Sequence, residues 1–236
     1  MKLRREATAR IRRWMDDLLP PVVRDSRWLV AIPSRVLFGR RANVFLDFKD
    51  RAPTMTADEL AETYRAIQDI ELQRETDLND ASLARVLESL APGSVLEIGC
   101  GSGHLAERMA EAHEVTACDL TPPPRPLRGG VRFVQANFES LPVEDSSYDN
   151  VVSTHTLEHV QDLAAAVREV RRTARRRLVI VVPKQRPYRH TFDLHLHFFP
   201  YAHSVLLALR PQGAYTLDEV GGDWVYVEDL ESRRRS

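Results

Sequence analysis

The stretch Val95-Leu96-Glu97-Ile98-Gly99-Cys100-Gly101-Ser102-Gly103-His104-Leu105 decides how this chain is read. Val95, Leu96 and Ile98 form the short apolar run expected of a strand buried on both faces. Gly99, Gly101 and Gly103 follow at every second position, and glycine admits the positive φ and close backbone approach of a tight turn. His104 and Leu105 then open a helix, whose first N–H groups lack intrahelical partners and favour anionic groups. Strand, glycine turn and helix start describe a ligand-binding corner of an α/β sheet.

The spacing bears on which ligand. Dinucleotides favour G-x-G-x-x-G, whereas this turn is G-x-G-x-G with Glu97 two residues before its first glycine. A carboxylate there repels a pyrophosphate and suits a cation, such as the ammonium or sulfonium of S-adenosylmethionine. Twenty residues after Gly99, Asp119 closes the apolar run Val115-Thr116-Ala117-Cys118. An acid at the end of a second strand suits a ribose diol in either cofactor.

Downstream, further segments fall in a fixed order: Asn137-Phe138-Glu139-Ser140-Leu141-Pro142, then Tyr148-Asp149 through the Leu157-Glu158-His159-Val160 segment. With the glycine turn and Asp119, this ordered set resembles the class I S-adenosylmethionine-dependent methyltransferases, in particular the group called type 11, over roughly residues 80–230. The resemblance implies a Rossmann-like, seven-stranded, mostly parallel sheet with helices on both faces. It implies cofactor contacts at Glu97, Gly99, Cys100, Gly101, Gly103, Asp119, Leu120, Asn137, Phe138 and Thr154. Asn137 stands where the family usually has Asp, and its amide oxygen can still accept a hydrogen bond from an adenine amino group. Some relatives carry a Glu-x-x-Glu-His metal motif after the fourth strand. Here His155 replaces the first Glu, and no metal is assigned.

Composition sets outer bounds. The 236 residues carry a net charge of −1, which offers no global field for nucleic acid. Cys100 and Cys118 fall in or beside strands and read as buried thiols of a reducing compartment. No apolar run approaches the ~20 residues of a membrane span, and the N-terminus lacks the apolar core of a signal peptide. A cytoplasmic location is the expectation.

Residues 1–79 read as a helical N-terminal extension, 80–230 as the cofactor domain and 231–236 as a polar tail. Residues 1–19 alternate basic and apolar positions up to Pro20-Pro21, an amphipathic helix that could touch an anionic membrane surface weakly. Trp28 to Val36 is apolar but interrupted by Pro33, and Thr56 with Glu59 signals a helix start through a capping box. In the cofactor domain, strands are expected near 94–98, 114–118, 131–136, 149–153 and 177–182, with helices near 104–112 and 162–174. Pro122-Pro123-Pro124 excludes a helix between the second and third strands. Gly221-Gly222 joins two final strands as a hairpin.

Two clusters supply candidate chemistry. His155 and His159 lie beyond the fourth strand, where open α/β sheets bind ligands, and are the catalytic candidates. Tyr188, His195 and His197 belong to an aromatic-rich segment and are the acceptor-side candidates; an extended Asp193-Leu194-His195-Leu196-His197 would set its polar side chains on one face. The reading is methyl transfer to a small-molecule or glycan-linked acceptor, at oxygen. The alternatives are a peripheral membrane enzyme acting on a lipid-linked glycan or quinone precursor, and a non-catalytic module that keeps the cofactor fold for binding. An NAD-dependent oxidoreductase fits the glycine spacing less well.

Overall fold

Strand β1 (Ser94–Ile98) is hidden on both faces because it pairs in parallel with β2 (Glu114–Asp119) on one side and β4 (Tyr148–Thr154) on the other. The computed structural model describes residues 20–67, 76–190 and 194–231. Within them the chain forms two compact units, one holding residues 20–67 with 185–190 and 194–196, the other 76–184 with 197–231. The amphipathic pattern over 1–19 and Asp193 lie outside the described residues.

The larger unit is the α/β domain. Its sheet runs β3-β2-β1-β4-β5-β7-β6, with β3 at Arg132–Gln135, β5 at Ala174–Pro183, β6 at Ala214–Val220 and β7 at Asp223–Asp229. The first five strands are parallel, and β7 inserts antiparallel between β5 and β6. Period-2 alternation sorts the strand residues into two cores. Leu96, Ile98, Val151, Leu178, Ile180 and Tyr226 face one side. Val95, Val152, Val179, Val181 and Val225 face the other. On the first face pack Val167 and Val170 of a helix at Leu163–Thr173, with Val205 and Leu209 of another at Ala202–Leu209. Helices at Asp80–Glu88 and His104–Met109 cover the second through Val86, Leu105 and Met109. This is the doubly covered, mostly parallel sheet expected from the apolar runs.

The smaller unit is helical at its N-terminal part, with α1 at Pro21–Arg24, α2 at Arg27–Phe38, α3 at Ala42–Arg51 and α4 at Ala57–Ile67. The cofactor-domain helices named above follow as α5 (Asp80–Glu88), α6 (His104–Met109), α7 (Leu163–Thr173) and α8 (Ala202–Leu209). The capping box forms as read: the Thr56 amide donates to Glu59 Oε2 at 2.8 Å, and the Glu59 amide donates back to Thr56 Oγ1 at 3.3 Å. One expectation fails, because α2 runs straight through Pro33. Proline removes one helical hydrogen bond. Leu29 and Pro33 are both exposed, so water is available where that bond is missing. Phe45, Phe48, Ala52, Leu60 and Leu194 form this unit's main core, and Leu194 brings the later segment into it.

A buried charge cluster ties β7 to α7. Glu228 is fully buried and accepts from Arg171 at 2.7 Å, Tyr226 Oη at 2.7 Å, and the amides of Gln212 and Gly213 at 2.5 and 2.8 Å. Burial alone would raise the Glu228 pKa, but Arg171 and these donors outweigh it and hold the carboxyl below its usual range. Removing one partner of such a pair strands the other charge in the core. Glu228→Ala should lower unfolding free energy by about 3–5 kcal/mol, read as a shifted midpoint in urea denaturation; an unchanged midpoint would show that the cluster is not buried in solution.

Candidate cofactor and acceptor site

The glycine turn sits at the carboxyl end of β1, where the sheet order reverses and crossover connections leave in opposite directions. Gly99 has φ 80°, and a side chain there would collide with that of Thr156. Gly101, at φ 51°, faces open space, so its backbone is free for a ligand to approach. Gly103 packs against Leu127, which belongs to the proline-containing connection between β2 and β3. The Gly99 and Cys100 amides donate to the Cys118 carbonyl at 2.8 and 3.1 Å, anchoring the turn to β2.

Asp119 completes this corner. Its Oδ2 accepts from the Gly101 amide at 2.9 Å and its Oδ1 from the Thr121 amide at 3.2 Å. Burial raises its pKa, and these backbone donors oppose the rise. Each carboxylate oxygen keeps acceptor capacity beyond these bonds, as a ribose diol would need.

Glu97 is the unusual group. It is buried on β1, and its Oε2 has no hydrogen-bond partner among the described residues. Burial, reinforced by the nearby Asp119 charge, pushes its pKa up to about 8, against one backbone hydrogen bond at Ala106. A carboxylate so placed calls for a cation. The orphaned oxygen, the open Gly101 backbone and Asp119 together fit the amino-acid and ribose portions of S-adenosylmethionine.

The remaining cofactor candidates divide. Asn137 is exposed, and its Oδ1 already accepts from the Glu139 amide at 3.0 Å, a bond that shapes its loop. Phe138 is buried in the sheet core, and Leu120 packs against that same core from a half-buried position. Cys100 is buried in the opposite core, where burial raises its thiol pKa. Thr154 ends β4, half-buried. Sequence reasoning missed Glu139, whose Oε1 accepts from the Gln161 and Asp162 amides at 3.0 and 2.9 Å and ties the Asn137 loop to the start of α7.

Beyond β4, His155 takes the left-handed backbone conformation, at φ 50°. Few non-glycine residues do so without a compensating hold. The hold here is ionic: His155 Nδ1 lies 3.5 Å from Glu158 Oε1, and Nε2 lies 3.5 Å from Asp223 Oδ1. Asp223 is itself fixed, its Oδ2 accepting from Asn79 Nδ2 at 3.0 Å and Ser82 Oγ at 3.1 Å. Burial would lower the His155 pKa, but the Asp223 and Glu158 carboxylates overcome it and push the value up to about 10. An imidazole that keeps its proton at neutral pH is poorly placed to remove one from an acceptor.

His159 is half-buried, and its amide donates to the Thr156 carbonyl at 3.0 Å. His197 belongs to the same unit; its Nε2 pairs with the Val160 carbonyl at 2.9 Å, and burial lowers its pKa. His195 and Tyr188 belong to the smaller unit. There His195 Nδ1 lies 2.6 Å from Gln185 Oε1, and Gln185 Nε2 donates to Tyr188 Oη. Lys49 sits 5.0 Å over the Tyr188 ring. Tyr64 packs against the smaller unit's core, and Asn79 caps α5. A separate cavity lined by Arg168, Arg171, Arg172 and Arg175 opens at the amino ends of β4 and β5, away from the glycine turn. Most of its arginines are already paired with carboxylates.

With this geometry in view, the comparisons with known proteins are informative. Residues 96–182 match the family described as a methyltransferase domain. A probable S-adenosylmethionine-dependent methyltransferase of Mycobacterium tuberculosis is 37% identical over 117 residues, covering 46% of this chain and 42% of that protein. A malonyl-[acyl-carrier protein] O-methyltransferase of Pseudescherichia vulneris is 33% identical over 110 residues, 44% of this chain and 43% of that protein. The chain thus spans under half the length of these curated relatives. The crystal structure of a Thermotoga maritima S-adenosylmethionine-dependent methyltransferase, a possible histamine N-methyltransferase, superposes with a TM-score of 0.54 at 16% identity. It covers 72% of this chain and 98% of that one, which establishes the shared fold. Sheet order and this superposition give the α/β unit the fold of class I S-adenosylmethionine-dependent methyltransferases, and residues 96–182 within it are similar to the methyltransferase domain family.

Two pH effects follow. A cationic ligand requires ionised Glu97, whose carboxyl in the free protein is mostly protonated at pH 7. Calorimetry with S-adenosylmethionine in buffers of differing ionisation enthalpy should therefore show close to one proton released at pH 7. Affinity should rise with pH up to about 8, and Glu97→Gln should abolish both effects. His155 acts in the other direction. Its folded pKa lies above its unfolded value, so its stabilisation is complete below pH ~6.5 and is lost as pH climbs toward 10. The stability gap between wild type and His155→Gln should accordingly narrow over that range in denaturant titrations; a pH-independent gap would refute the clamped-cation assignment.

Proposed function

We propose that this protein transfers a methyl group from S-adenosylmethionine to oxygen of a small-molecule or glycan-linked acceptor. The observation that carries the reading is the buried Glu97 carboxyl with one oxygen unpartnered, set directly before an open glycine turn. The similarity to a malonyl-[acyl-carrier protein] O-methyltransferase supports an oxygen acceptor.

When bound, S-adenosylmethionine supplies a methyl group already activated on a sulfonium. Glu97 holds the cationic amino-acid end, the Gly101 backbone gives close approach, Asp119 takes the ribose hydroxyls, and Asn137 faces the adenine amino group. Holding acceptor and methyl in line is the main task of such a site, and orientation can contribute several kcal/mol, up to roughly 7–11. His155 is a positioning residue. Its two ion pairs fix the loop after β4, and the next residue, Thr156, packs on Gly99 and donates through Oγ1 to the Thr154 carbonyl at 3.0 Å. His159 takes the general-base role where an acceptor hydroxyl loses a proton; an acceptor that is already ionised needs none. His197 lines the acceptor side of the α/β unit; Tyr188 and His195 are acceptor-side candidates within the smaller unit.

Calorimetric titration with S-adenosylmethionine, its demethylated product and NAD tests the cofactor assignment. The first two should bind and NAD should not. Asp119→Ala should weaken binding about 10- to 100-fold, as expected for loss of a charged hydrogen-bond acceptor worth ~1.5–3 kcal/mol. Binding of NAD, or of none of the three, would overturn it. A screen with labelled methyl groups then identifies the acceptor. On a hydroxyl acceptor, His159→Gln should lower kcat.

A further inference from the structure

Helix α2 is built the wrong way round for a helix that only packs on its own unit. Val30 and Ala31 are buried in a small cluster with Leu46, and Ser34 is buried with them, its Oγ donating to the Val30 carbonyl. The opposite face should then be polar. It instead carries Trp28, Ile32 and Val36 at i, i+4 and i+8, with Leu29 beside them. These are exposed by 83%, 66%, 81% and 53%, respectively. Among the described residues nothing covers this stripe, and Val22 of α1 is exposed near its start. Contiguous exposed apolar surface of this kind marks an interaction site.

The charges around it indicate what it meets. Arg35 lies on α2, and Arg40 and Arg41 lie in the turn that follows; all three are exposed. Arg27, also exposed, pairs with Asp47 at 2.7 Å. Although the whole chain is nearly neutral, its first 51 residues hold 13 of the 33 Lys and Arg but only 6 of the 34 Asp and Glu. A second copy of this chain docked face to face would bring these arginines against themselves. An anionic bilayer surface satisfies both features: it takes up a Trp-containing apolar stripe at the depth of its headgroups and attracts the flanking arginines. At 12 residues the helix is about 18 Å long, too short to span, and no described helix is long and apolar enough to cross a membrane.

We propose that α2 is a membrane-surface contact, lying in the plane of an anionic bilayer with Trp28, Ile32 and Val36 inserted and Arg35, Arg40 and Arg41 at the headgroups. The contact expected from the sequence at residues 1–19 lies outside the described residues, whereas α2 carries this one on its own side chains. It is independent of which acceptor the enzyme uses.

The test is co-sedimentation of the full chain with phosphatidylcholine vesicles, with and without phosphatidylglycerol. Wild type, Trp28→Ser/Ile32→Ser/Val36→Ser and Arg35→Glu/Arg40→Glu/Arg41→Glu are compared, with S-adenosylmethionine titration and sedimentation velocity as controls. Wild type should pellet with the anionic vesicles. Either triple variant should lose at least about tenfold in partitioning, roughly 1.4 kcal/mol, with cofactor affinity unchanged. Wild type that stays in the supernatant, or serine variants that pellet like wild type, would overturn the proposal. So would a concentration-dependent dimer abolished by the serine changes, because the stripe would then be a self-interface.

Discussion

Everything at the functional end of this protein hangs on how β1 is buried. Parallel partners on both sides and helices on both faces bury Val95–Ile98 almost completely, so those positions call for apolar residues. Glu97 breaks that rule at the point where the strand gives way to the glycine turn. A buried carboxyl without a cation is expensive, and the protein tolerates it by keeping the proton on. The fold therefore holds an unsatisfied demand for positive charge beside the exposed backbone of Gly101. The remaining corner contacts, from Asp119 to the Cys118 carbonyl, keep that demand in place.

The loop after β4 is organised by the opposite device, a cation held by two anions. His155 lies in a backbone conformation that costs energy, and Glu158 and Asp223 stabilise it from either side. Asn79 and Ser82 then hold Asp223, so a residue of the β4 loop is braced by the start of α5 and by the β6–β7 hairpin. Gly221 is needed for this, because a side chain there would run into Asn79. One charge, placed correctly, thus joins three separate parts of the α/β unit.

Much of the fold was legible because its signals are local. Apolar runs gave the parallel strands, three alternate glycines gave the turn, Thr56 with Glu59 gave a capping box, and Gly221-Gly222 gave the hairpin. What was not legible depends on pairs distant in sequence. Asp223 lies far along the chain from His155, and nothing in the Leu157-Glu158-His159-Val160 segment announces that its neighbouring histidine is clamped as a cation. Phe138 reads equally well as a ring beside adenine or as core, and only packing places it in the core. The segment 185–196 reads as a continuation of the α/β domain, yet Leu194 joins the core of the helical unit. Pro33 reads as a break by a local rule, the missing hydrogen bond, but the helix surface around it is solvated and the helix continues.

The insertion of β7 between β5 and β6 has a temporal side. β7 is the last of the seven strands in chain order, yet it occupies an interior place in the sheet. During synthesis, β5 has to wait as an open edge until residues 223–229 leave the ribosome, and Asp223 is the first residue of that strand. Until then the His155 imidazole has only one of its two carboxylates. The loop after β4 is thus completed by the same event that closes the sheet, so a nascent or truncated chain lacking the hairpin would keep the glycine turn while its β4 loop remained unset.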